Sequence, residues 1–132
     1  MTLAADQSPV AAVTSVRKAL ELQPQWTDAE DALCKYSAIA QQVGATEACD
    51  AALVNHPKSI EWLGFRGLAQ VGDAKYAGAI RDLTDVIARD EDPRWRVARG
   101  DAYEKRGNLA EAKSDFTWAC RRGLELACER AK

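Results

Sequence analysis

Four cysteines, one histidine and a short acidic run are the residues of this 132-residue chain whose types could do chemistry. Thiols can bridge or bind metal. Imidazole can ligate or move a proton, and clustered carboxylates can hold a cation. The spacing argues against most of this. No Cys-x-x-Cys is present, and His56 stands alone between Asn55 and Pro57 at a helix end, so no metal site is expected and a solvated loop histidine is. Asp90-Glu91-Asp92 lacks the ligand spacing of a calcium loop and runs into Pro93, which reads as a turn and a helix start. No Gly-rich phosphate loop follows a strand, and no nucleophile can be joined to His56. Enzyme chemistry and a bound cofactor are therefore not expected.

The elements that must position these residues are helices. Val10, Val13, Val16 and Leu20, with Ala12 and Ala19, recur at three- and four-residue steps, which predicts an amphipathic helix from Pro9 to Leu22 capped by Ser8 and stopped by Pro24. Further helices are expected from Asp28 to Gln42, capped by Asp28 or Thr27, and from Thr46 to Asn55, with Gly44 between them. Others follow at Ile60–Val71, Lys75–Ala88, Trp95–Arg106 and Leu109–Arg121, and a short one closes the chain after Gly123. No segment alternates as a half-buried strand does, so no sheet is expected.

Bulk numbers fit one soluble-type domain: 47% hydrophobic and 29% charged residues, net charge −2. Such a balance offers no broad attraction to nucleic acid or anionic membrane, and no apolar stretch approaches the roughly 20 residues of a bilayer span. The start, Met1-Thr-Leu-Ala-Ala-Asp-Gln-Ser, has neither the basic nor the apolar region of a signal peptide. The chain reads either as cytosolic or as a mature secreted form given a new Met.

A pattern returns every 33 residues: Gly67…Ala79-Ile80…Leu83…Val86, then Gly100…Ala112-Lys113…Phe116…Ala119. The run from Trp95 through Gly100, Tyr103, Gly107, Ala112 and Phe116 to Ala119 resembles a tetratricopeptide repeat. The unit from Trp62 through Gly67, Ala79 and Leu83 to Val86 is similar to it, with Gln70 at the tyrosine position. Lys18–Pro24 and Glu47–Pro57 resemble the closing halves of further units. The resemblance implies an all-α, right-handed superhelix of stacked helix hairpins, about seven helices in one domain spanning 1–132. Its parts would be a half repeat at 9–24, a degenerate repeat at 25–58, repeats at 59–92 and 93–122, and a terminal helix at 123–132. Small residues stand where paired helices approach; Trp62, Trp95, Tyr103 and Phe116 are expected to fill the spaces between hairpins.

Cys120 and Cys128, with Gly123 between them, resemble the spacing of the cysteine-rich, Sel-like branch of this superfamily, which implies a Cys120–Cys128 disulfide stapling the last helix. Cys34 and Cys49 read instead as small buried hydrophobes. Residues of a hairpin pair by distance from the turn, and Cys49 is expected opposite the start of the preceding helix, away from Cys34 in its middle. The implied cap tilts the compartment toward an oxidising one, periplasmic or secreted, with the cytoplasm as alternative.

In the family, the first helix of each unit lines a concave groove that holds a protein segment. Mapped here, that groove would take Glu30, Cys34 and Ser37, then Glu61, Gly64, Leu68 and Val71, then Arg94, Val97, Asp101, Glu104 and Lys105. Family members that grip a C-terminal carboxylate do so with Lys and Asn; Gly64, Leu68, Val97 and Asp101 depart from that pattern. The expected function is a protein-binding module for a peptide or protein segment. The alternative is a Sel-like secreted factor with hydrolase or lactam-binding activity. Self-association through the ends of the array is a third possibility. Arg94, Arg96, Arg99, Arg106, Arg121 and Arg122 read either as a solvated face or as a complement to an acidic partner segment.

Overall fold

The structure is a computed structural model and describes residues 8–132; the Met1–Gln7 part of the leader reading lies outside them. Eight helices follow one another: α1 Pro9–Leu22, α2 Thr27–Ile39, α3 Ala45–Asn55, α4 Ile60–Gly72, α5 Tyr76–Ile87, α6 Pro93–Arg106, α7 Leu109–Arg121 and the short α8 Glu125–Arg130. No strand occurs among the described residues. Three of the helix starts follow from the side chain of the capping residue. Ser8 accepts from the Ala11 N–H, Ser59 from the Trp62 N–H, and Asp92 from the Arg94 N–H, each satisfying a donor that a helix leaves orphaned.

Each helix packs on the next, and α2, α4 and α6 also lie side by side. That makes α2, α4 and α6 an inner layer, with α1, α3, α5 and α7 outside it, which is the plan of stacked hairpins. The 33-residue period marks two close approaches within hairpins. A methyl group on Gly67 would sit 2.6 Å from Leu83 Cγ, and one on Gly100 would sit 2.7 Å from Phe116 Cε1. Glycine at one position and a large apolar side chain at the other is a single packing solution used twice. Successive hairpins are then joined by aromatic rings. His56 stacks on Trp62, Trp62 tilts against Phe65, and Phe65 meets Trp95 edge-on, with centroids 5.5–5.8 Å apart. Trp95 and Phe116 are buried as expected, while Trp62 and Tyr103 pack half-buried at the edge of the core.

Both cysteine pairs are disulfides. Cys120–Cys128 joins α7 to α8. Cys34–Cys49 joins α2 to α3, which corrects the reading of those two as unbonded. Both are fully buried, so the apolar half of that reading stands. The misplaced feature was the turn. Helix α2 ends at Ile39, three residues before the expected Gln42, and Gln41 takes a left-handed φ of 53° within the connection. Cys34 therefore lies five residues before the end of α2 and Cys49 four residues after the start of α3, equidistant from the pivot to within a residue.

Candidate functional site

Glu61 and Arg94 are exposed near helix starts, and Arg94 is clamped by Asp92 at 2.7 Å. Gly64 is covered by the Trp95 ring, which a methyl group there would meet at 2.7 Å. Leu68 and Val97 are half-buried against the two core clusters. Cys34 is taken up in its disulfide, and Ser37 is fully buried with no partner for its hydroxyl, so neither reaches a groove. Glu30 accepts from Asn55 Nδ2 at 3.5 Å near the α2–α3 edge.

Val71, Asp101, Glu104 and Lys105 do come together. With Gln41, Gly72, Tyr76 and Arg130 they line a cleft of about 420 Å³ at the C-terminal ends of α4 and α6. The α2–α3 connection forms one wall and α8 the other. Val71, 8% exposed, is its apolar residue; the rest of the lining is chiefly polar. Arg130 reaches from α8 to bond Asp101 and, at 2.7 Å, Glu104. Burial pushes the Asp101 carboxyl above the ordinary aspartate range, against the opposing pull of Arg130. Lys105 has no carboxylate within ion-pair distance among the described residues, so the cleft presents one unbridged cation near two carboxylates that share Arg130.

Sequence reasoning missed a second recurring constellation. Arg66 donates to both oxygens of Asp82, at 2.8 and 3.2 Å, and Gln70 adds a bond of 2.7 Å. One period later Arg99 donates to both oxygens of Asp115, at 2.9 and 2.7 Å, and Arg96 adds one of 3.3 Å. Asp82 and Asp115 are almost fully buried. Each pair is separated by 16 residues and recurs after 33, a signal the repeat alignment contained. The solvated-face reading is thereby corrected for Arg96 and Arg99, which serve the interior. His56 is likewise no free loop group: its Nε2 lies 2.6 Å from Asp31 Oδ2.

No helix among the described residues is long and apolar enough to cross a membrane. No protein-family model matches the chain, and no curated protein does. Among solved structures it is similar to MamA, residues 41 to the end, from Desulfovibrio magneticus RS-1, with a TM-score of 0.68 and 20% identity. The match covers 86% of this chain and 65% of that one. At such an identity the likeness is one of fold: an all-helical array of the tetratricopeptide-like repeat type.

Proposed function

We propose that this protein is a binding scaffold whose concave cleft holds an extended segment of a protein partner. The convergence of Val71, Asp101, Glu104 and Lys105 with Tyr76 and Gln41 around one cleft carries this reading. An apolar floor with polar walls suits a segment that inserts one apolar side chain and pairs its flanking polar groups. The two disulfides support folding in an oxidising compartment, periplasmic or secreted. The division into a half repeat at 9–24, a degenerate repeat at 25–58, repeats at 59–92 and 93–122, and a terminal helix at 123–132 is part of the same proposal.

Selection of peptides from a random display library, followed by calorimetry, tests the cleft. The charge-swapped variant Glu104→Lys/Lys105→Glu keeps net charge at two exposed positions, and because it removes the Arg130–Glu104 bond, amide exchange across 124–131 checks that α8 stays docked. Selected peptides are expected to bind it at least tenfold more weakly, about 1.4 kcal/mol. Equal binding by both proteins places the interaction elsewhere. Covalent labelling by a penicillin analogue would favour the lactam-directed alternative.

A further inference from the structure

The outer face of α7 carries a second cleft, separate from the concave one. Most arginines of the C-terminal third are spent internally: Arg94 on Asp92, Arg96 and Arg99 on Asp115, and Arg130 on Asp101 and Glu104. Lys113, Arg121 and Arg122 differ. None of the three has a carboxylate within ion-pair distance among the described residues. Lys113 and Arg121, with Ala110, Ser114, Thr117 and Trp118, line a cleft of about 470 Å³ that contains no acidic side chain. Arg122 adjoins it, its guanidinium 4.5 Å from the centroid of the Trp118 ring, and Arg96 flanks the same ring at 4.6 Å. A guanidinium stacked by its face keeps N–H donors at its edge for a carboxylate.

The charge distribution of the chain points the same way. Residues 93–132 carry ten Lys and Arg against six Asp and Glu, a net +4, whereas the preceding 92 carry eight against fourteen, a net −6. We infer that the outer face of α7 docks an acidic protein segment, its carboxylates paired with Lys113, Arg121 and Arg122 and its backbone lying along Trp118. A single-stranded nucleic acid fits less well. Its bases need an aromatic face on which to stack, and guanidinium groups flank the Trp118 ring.

Anisotropy titration of a fluorescein-labelled dodecapeptide of alternating Glu and Gly, beside its Gln counterpart, tests this surface. The expected result is saturable binding of the Glu peptide alone, weakened by raising salt from 50 to 500 mM and at least tenfold weaker in Lys113→Glu/Arg121→Glu, as charge complementarity requires. Both substitutions are at exposed positions, and circular dichroism checks that the helices persist. The cleft variant Glu104→Lys/Lys105→Glu is expected to bind the Glu peptide as the wild type does, which separates this surface from the concave one. Absent binding, equal binding of the Gln peptide, undiminished binding by the α7 variant, or tighter binding of a twelve-residue oligothymidylate would each overturn the inference.

Discussion

Asp115 is 1% exposed, and Arg99 and Arg96 meet its carboxylate from two directions. Removing Arg99 leaves a buried charge with one weaker partner. Arg99→Met is expected to cost about 3–5 kcal/mol in urea denaturation. A loss below about 1 kcal/mol would mean that Arg96 alone suffices. Asp73 works differently. It ends α4, yet its carboxylate accepts from the Gly44 N–H at 2.7 Å, the Thr46 N–H at 3.1 Å and the Thr46 hydroxyl at 2.5 Å, so it caps α3 from a distance. Burial would raise its carboxyl, but these hydrogen bonds together hold it below the usual range. A depressed carboxyl stabilises the fold above its unfolded value, near 3.9, and that contribution is lost as pH falls through the folded value. Asp73→Asn is therefore expected to cost about 1 kcal/mol at pH 7. The wild type and the variant should converge in stability once pH has fallen below the depressed folded value, which thermal melts across pH will show.

At the scale of elements, the hairpins solve one problem in two ways. The second and third each set a glycine against a large apolar side chain, and Gly100→Ala is expected to cost about 1–3 kcal/mol because Phe116 is packed too closely to yield. The first has Cys49 bonded to Cys34. The glycine solution was legible in the sequence, since spacing and residue size together announce it. The covalent one was hidden by three residues of α2: Gly44 advertised the turn, but the chain leaves the helix at Ala40 and turns through Gln41, a residue type that gives no such signal. The cleft at the ends of α4 and α6 was legible in part for the same reason. Its α4 and α6 residues follow the period, whereas Gln41 and Arg130 come from a connection and a terminal helix that the period does not describe. Helix α8 has six residues, too few to persist alone. Its disulfide, buried Ala127 and Arg130 hold it in place. Cys128→Ser is expected to speed amide exchange across 124–131 while leaving α4 and α5 protected.

For the whole molecule, contacts run between consecutive helices and between the inner helices of adjacent hairpins, and stability in such an array is close to a sum of local terms. A lesion should then be felt nearby and fade with distance. In Arg99→Met, hydrogen exchange is expected to rise across α6, α7 and α8 and to change little in α2 and α3. A uniform rise would mean the array melts as one unit.

The two sulfur bridges also decide how the molecule bears tension. A pull applied at the chain ends cannot draw out the segment between Cys34 and Cys49, separated by 15 residues, or that between Cys120 and Cys128, separated by 8. Stretched under oxidising conditions, the protein should stop short of its full contour by about 50 Å for the first segment and about 27 Å for the second. Reductant added during the pull should release the two segments as two separate steps in length, one for each bridge.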